Sequence, residues 1–223
     1  GLCAVNGNLI ATGDSFADYH RSLGKQVRSE LDRCWRVFPR DSPGARYVSI
    51  ADPAQADRYL AAMDQQQRAR FAETGAAFSL DAPQPAAFYR ALAARGLASG
   101  YTYIGALECD AGIVATMMAF VQGRRMVVTR ISNAGATWSN ISPGRLVLHR
   151  AMMDLHGKGV REFDFSIGNY DYKRRFKVEP FPLFDLYIPL SWKGIMPTVR
   201  ARAAAGLRKY PGLDARLRRL LKI

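Results

Sequence analysis

Three strand-length segments follow one another between residues 101 and 132, and they restrict the chain's architecture more than any other feature. Tyr101–Cys109, Ile113–Gln122 and Arg125–Ser132 alternate or run apolar, and only turn-forming residues, Asp110-Ala111-Gly112 and Gly123-Arg124, lie between them. Connections this short give antiparallel neighbours. A helix is expected next, with Ser142 as cap, Pro143 at the first helical position and Gly157 and Gly159 as its stop after His156. Val160–Phe165 then reads as a strand, Tyr170–Phe176 as a short helix and Leu183–Pro189 as a last strand. A meander followed by helix, strand, helix and strand is α+β, with a central sheet whose second half is reached through a helical crossover.

Upstream, residues 14–38 read as one helix, with Asp14 or Ser15 as cap and Phe16, Tyr19, Leu23, Val27, Leu31 and Trp35 at helical spacing. Pro39 and the turn Asp41-Ser42-Pro43-Gly44 are expected to end it. Arg46–Ile50 is a short strand, Asp52-Pro53 opens a helix running to about Glu73, and Ala86–Ala94 forms another that stops near Gly96. Two amphipathic segments close the chain, the second with Leu213, Leu217, Leu220 and Leu221 on one face.

The 223 residues are enough for a full core, and the longest apolar run, Ile113–Val121, falls far short of the roughly 20 residues that span a bilayer. The start, GLCAVNGNLI, lacks the basic and apolar regions of a signal peptide, and segment 1–40 is expected to be the end of an N-terminal lobe. Cys3, Cys34 and Cys109 form neither a disulfide framework nor a CxxC zinc spacing, which suits a reducing, cytoplasmic setting and no metal. The net charge of +13 is concentrated in two places. Residues 192–223 hold nine Lys or Arg against Asp214, and residues 20–40 hold six against Glu30 and Asp32. Such clusters suit a phosphate-rich cofactor, an acidic membrane surface or nucleic acid; the plainer alternative is a solvated helix face.

The strongest candidate for chemistry is the strand–loop–helix around Asp164. Phe163 and Phe165 alternate to one face, which puts Glu162 and Asp164 on the other. On the following helix Tyr170, Lys173 and Arg174 share a face at i, i+3 and i+4, and Asp171 can pair with Arg175. An ionisable strand residue beside a phenol and an ammonium is what proton transfer and oxyanion stabilisation require; the alternative is an aspartate capping a helix, with Tyr and Lys merely packing. A second candidate is the helix entry Asn140-Ile141-Ser142-Pro143-Gly144, where unsatisfied N–H groups and the dipole favour an anion. His149 and His156 are about 10.5 Å apart along a helix axis, too far to share a metal, and are expected to be structural. Glu108 is expected to be an exposed turn carboxylate, and Arg130 and Ser132 either line an acceptor site or pack in the sheet.

The run SPGRLVLHRAMMDLHGKGVREFDFSIGNYDYKRRF resembles the CelD-like (BioF2-like) acetyltransferases of the GNAT superfamily. Their pattern of a strand ending in D-F, then a Gly, then Y-K-R-x-F is carried by Asp164, Phe165, Gly168, Tyr172, Lys173, Arg174 and Phe176. The likeness covers roughly residues 15–190, including a Lys/Arg-rich helix before the core. It implies a GNAT acyltransferase fold, a mostly antiparallel mixed sheet flanked by helices, with the GNAT domain at 41–191 and a basic helical tail at 192–223. It also implies transfer of an acyl group from acyl-CoA or acetyl-CoA as co-substrate, with no metal. The donor's pyrophosphate would lie at Ser142, Gly144 and Arg145. A tyrosine, Tyr170 or Tyr172, would protonate the leaving thiolate. The FemAB-type aminoacyl transferases look similar too, and in their manner Lys173 after Tyr172 would stabilise the reacting carbonyl. The chain departs from the superfamily in having one Gly after a Pro where two spaced glycines are usual, and Gly168-Asn169 where an acidic residue often follows.

The resemblance thus implies an N- or O-acyltransferase acting on a small-molecule or glycan-type acceptor in envelope or exopolysaccharide metabolism. A second reading keeps the fold and changes the donor to aminoacyl-tRNA, the one nucleic acid expected as a partner, with the basic regions on RNA phosphates. A third is a non-catalytic module whose leucine-faced basic tail lies on an anionic membrane.

Overall fold

In chain order, β1 (Leu2–Ala11), α1 (Phe16–Ser22), α2 (Lys25–Asp41), β2 (Arg46–Ile50), α3 (Pro53–Glu73), α4 (Pro83–Gly96) and β3 (Thr102–Cys109) lead into β4 (Gly112–Gln122) and β5 (Arg125–Asn133) in a computed structural model of the chain, which describes residues 2–168 and 171–207. After them come α5 (Pro143–Gly157), β6 (Glu162–Asp164), α6 (Asp171–Arg174), β7 (Glu179–Phe184) and α7 (Ile195–Leu207). The strands are hydrogen-bonded in the order β2-β3-β4-β5-β6-β1-β7. The pairs β2–β3, β3–β4, β4–β5 and β1–β6 are antiparallel, and β5 with β6 is parallel, as the crossover through α5 requires. The α+β fold with a mixed sheet flanked by helices is therefore present. Residues 9–166 and 171–178 form one compact unit, and residues 2–8, 167–168 and 179–207 belong to a second.

In the larger unit the sheet separates two apolar layers. Ile104, Ala106 and Met118 face Tyr59, Leu60 and Met63 of α3 and Ala93 and Leu97 of α4. Tyr103, Leu107, Ala115, Met117 and Ala119 face Leu148, Ala151, Met152 and Leu155 of α5, and the same core takes in Leu31, Cys34 and Phe38 of α2. The consecutive residues Met117 and Met118 are both fully buried, one in each core, because neighbouring side chains of a strand point to opposite faces. The β4–β5 hairpin closes with Gln122 opposite Arg125, and Gly123 supplies the left-handed φ of 57° that this tight turn needs.

Four features differ from the sequence expectations. The helix expected over 14–38 is two, because Leu23 is extended, with ψ of 151°, and Gly24 starts α2 afresh. Pro39 does not end α2, which gives up one backbone bond in its last turn and closes at Asp41. Strand β1 was hidden by its glycine and asparagines: Gly7 is required because a Cβ there would collide with the Phe181 ring. The last strand lies at Glu179–Phe184, over Pro180 and Pro182; prolines are tolerated on the outermost strand, where a missing N–H breaks no inner ladder. The segment with Leu213, Leu217, Leu220 and Leu221 lies outside the described residues, among which no helix is long and apolar enough to cross a membrane.

Candidate active site

Strands β5 and β6 pair only from Arg125↔Glu162 to Val127↔Asp164, whereas β5 stays paired with β4 up to Asn133↔Ala115. Beyond Val127, then, β5 has a strand on one side and, among the described residues, none on the other. The β4–β5 register slips between Met118 and Ala119, where Thr129 is the extra residue and its hydroxyl donates to Met118 O at 3.0 Å. A bulge of this kind bends the strand and re-aims the side chains that follow.

Those side chains include Arg130 and Ser132, and both reach α3. Arg130 is 6 % exposed; its guanidinium donates to Asp64 Oδ1 at 2.6 Å and, through Nε, to Gln67 Oε1 at 3.1 Å, and it stands over the Tyr89 ring. Ser132 Oγ donates to Gln66 Oε1 at 2.7 Å, and the Gln66 and Gln67 amides donate in turn to Ile113 O and Ile131 O. The two residues fasten α3 to the sheet.

A cleft of about 1070 Å³ opens beside this fastening. Its walls are one side of α3 (with Arg58, Gln66, Ala69 and Arg70), the start of β4 at Gly112, and the loop from Asn133 to Pro143. Of the residues singled out in the sequence, none lines it, although Pro143 does and stands between Ser142 and Gly144. The polar lining on α3 was overlooked; its signal was the run Asp64-Gln65-Gln66-Gln67-Arg68 inside a helix with only a few buried apolar residues.

At the start of α5, Ser142 is left-handed (φ 46°, ψ 59°) and its side chain caps no N–H. Its carbonyl instead accepts from Arg145 N and Leu146 N, and its hydroxyl accepts from Arg145 Nη2 at 2.6 Å. Arg145 also donates through Nη1 to Glu30 Oε2 at 2.9 Å, and this hydrogen bond holds the Glu30 carboxyl below the usual carboxylate range. The Arg145 side chain is thus folded back against α2.

The Phe163–Phe176 block is held from within. Phe163 and Phe165 are buried, and the Phe165 ring meets Phe176 edge-on at 5.3 Å. Asp164 is 8 % exposed, accepting from Arg125 Nη2 at 2.8 Å and from Ser166 N at 2.8 Å. Ser166 is left-handed, with φ of 61°, and turns its carbonyl to Lys173, whose Nζ donates at 3.4 Å. Lys173 is only 2 % exposed, and burial lowers the pKa of its amine against the opposing pull of Asp164. Tyr172 is half-buried against the core, and Tyr170 lies outside the described residues. Arg174 does not share the Lys173 surroundings: it is exposed and pairs with Asp171 at 3.0 Å, and it is Glu30, not Asp171, that takes Arg175, at 3.1 Å. Lys173 and Asp164 are therefore brought together, whereas Arg130 and Ser132 are bonded to α3, and Ser142 is bonded to Arg145, which is held by Glu30 of α2.

Glu108 is not the exposed turn carboxylate expected. At 3 % exposure it accepts from Arg46 Nη2 at 2.6 Å and from the Tyr59 hydroxyl at 3.0 Å, with Arg58 at 3.5 Å. His149 Nε2 lies 3.0 Å from His20 Nδ1, and His156 Nε2 lies 3.1 Å from Gly13 O. Much of the basic charge of residues 20–40 is engaged locally: Arg28 caps Leu23 O at 3.1 Å, Arg33 holds Asn140 O at 2.8 Å and Arg40 pairs with Asp41 at 2.6 Å. Among the described residues no group of His, Cys, Asp or Glu is arranged to hold a metal ion.

The sequence model of the family described as "Acetyltransferase (GNAT) domain" matches residues 25–174. No curated protein matches the chain. Similar solved structures include FemX (6 % identity, TM-score 0.59, covering 78 % of this chain and 59 % of that one). A conserved protein of unknown function from Bacteroides thetaiotaomicron is similar at 11 % identity and TM-score 0.53, covering 79 % and 57 %. The C-terminal domain of a putative lysylphosphatidylglycerol synthetase from Agrobacterium fabrum is similar at 14 % identity and TM-score 0.51, covering 80 % and 57 %. At these identities the likeness is one of fold, and the chain spans less than two thirds of each of those structures.

Proposed function

Because the chain belongs to the acetyltransferase (GNAT) domain family, we propose that it moves an acyl group from acyl-CoA or acetyl-CoA to an amine or hydroxyl acceptor, with a small-molecule or glycan-type acceptor of the cell envelope or exopolysaccharide as the substrate class. The observation that carries this reading is the parting of β5 from β6 after Val127↔Asp164, together with an open cleft between α3 and the loop that enters α5, which reaches β5 at Asn133. The edge of β5 beyond Val127, unpaired among the described residues, offers backbone groups to an extended thioester arm, and Arg58 and Arg70, in a cleft lining that also holds Glu73, offer charge to its phosphates.

In such a transfer the acceptor nitrogen or oxygen bonds to the thioester carbon, the C–S bond breaks and the sulfur leaves as a thiolate that must be protonated. Lys173 suits that last step. An ammonium whose pKa is lowered by burial is a stronger acid than an exposed lysine, and its attachment to Ser166 O fixes it where β6 leaves the sheet. Asp164 and Arg125 position this loop through the Ser166 N–H.

One observation favours aminoacyl-tRNA as donor instead. The arginine at the α5 entrance is bound to Glu30 and Ser142 rather than extended, and the loop carries a single Gly after Pro143. Thermal melting with CoA, acetyl-CoA and tRNA separates the two donors. A rise with CoA esters that is lost in Ala69→Trp, which fills the cleft, is the expected result; no rise with any CoA ester overturns the reading, and a rise with tRNA alone supports the second.

A further inference from the structure

The smaller unit carries a concentration of exposed apolar side chains. Of the thirteen large hydrophobic residues exposed among the described residues, eight fall within residues 184–199. From the end of β7 exposed apolar residues recur along the chain: Phe184 is 73 % exposed, Leu186 81 %, Ile188 63 % and Leu190 95 %, with the less exposed Asp185 and Tyr187 between the first three. Alternating exposure over Phe184, Leu186 and Ile188 turns these three to one side, and they form an apolar row that Leu190 follows. Trp192, 78 % exposed, continues it, and Met196, 67 % exposed, follows at the start of α7. Arg202 Nη2 donates to Tyr187 O at 3.1 Å, which ties α7 back to the segment that carries the row.

The charge along the segment is mostly positive. Lys193, Arg200 and Arg202 accompany the row, and Asp185, between Phe184 and Leu186, is the one Asp or Glu from Phe184 to Leu207. We infer that this element is a membrane-docking surface, whose apolar row enters the interfacial region of a bilayer while its cations meet anionic lipid headgroups. A tryptophan beside aliphatic side chains and long cations is the combination that the bilayer interface favours, since the rings and stems bury while the charges stay in water. A second copy of this chain fits less well, because a symmetric pairing through the row would bring three cations of each copy together with Asp185 as the one acid of the segment to offset them. The inference is independent of the chemistry proposed above.

The test is co-sedimentation of the full chain with phosphatidylcholine vesicles, with and without about one-third phosphatidylglycerol, at low salt. The anionic vesicles are expected to carry down the protein and to shift tryptophan emission to the blue, and Trp192→Phe removes the shift. The double variant Leu186→Glu/Leu190→Glu, at two strongly exposed positions, is expected to keep the melting temperature and lose about tenfold in vesicle partitioning. Equal partitioning of that variant, no sedimentation of the unaltered protein with anionic vesicles, or equal binding to neutral ones overturns the inference. So does a concentration-dependent dimer in sedimentation velocity that the double variant abolishes, which would assign the row to a second copy.

Discussion

Arg125 and Asp164 meet at 2.8 Å across β5 and β6, close to the last pair of residues before the two strands part. The same carboxylate holds Ser166 N, so one side chain closes the sheet and shapes the loop that carries Lys173. Asp164→Ala strips both donors of their acceptor. The expected loss is about 2–3 kcal/mol, read from urea unfolding, with Asp164→Asn costing less because an amide oxygen can still accept from Ser166.

Lys173→Met keeps the stem and removes the buried ammonium. Turnover is expected to fall by roughly 10²–10⁴-fold if the amine is the proton donor. Stability moves the other way. Burial depresses the folded amine's pKa, so the unfolded chain binds the proton more tightly, and the ammonium costs stability below the folded value. That cost fades as pH rises toward the ordinary lysine range. Urea unfolding at neutral and alkaline pH is expected to show Lys173→Met more stable than the parent at neutrality, with the gap closing at high pH. Undiminished turnover in this variant would return Lys173 to a packing role.

His149 gives a dependence at the acid end. Desolvation pushes its pKa down to about 3, against about 6.5 for an unperturbed histidine. Between those values the unfolded chain takes up a proton that the folded chain refuses, so stability is complete above about pH 6.5 and declines as pH falls toward 3. His20, 3.0 Å from the ring, adds a smaller push on His149 in the same direction. His149→Gln is expected to flatten the curve of unfolding free energy against pH over this range.

Thr116 is fully buried on β4, and its hydroxyl has no hydrogen-bond partner among the described residues. An unpaired buried hydroxyl costs about 1–3 kcal/mol. Thr116→Val keeps the β-branched shape, and its urea midpoint is expected to rise by the equivalent of about 1 kcal/mol.

The fold was legible where pattern and turn chemistry agreed. The meander, the helix bounded by Pro143 and Gly157 and the strand at Phe163 occur as read. Strand β1 was not legible, because Gly7 answers to Phe181, more than 170 residues away, and not to its neighbours. For the candidate site, local spacing brought Asp164 and Lys173 into one block but mistook the surroundings of Arg174 and Glu108. An i, i+4 rule describes an isolated helix, whereas α6 is one turn whose exposure is set by the core beneath it. The cleft residues of α3 were missed for a related reason: a run of glutamines looks like solvated helix surface until the sheet lies beside it.

The adjacent Met117 and Met118 carry a dynamic consequence. Since β4 contributes to both apolar layers and is paired along both edges, neither layer can open without stripping this strand of packing or hydrogen bonds. Its central amides should then exchange with deuterium only through global unfolding, at the free energy of the whole larger unit, while the α3–α4 layer has no separate opening of its own.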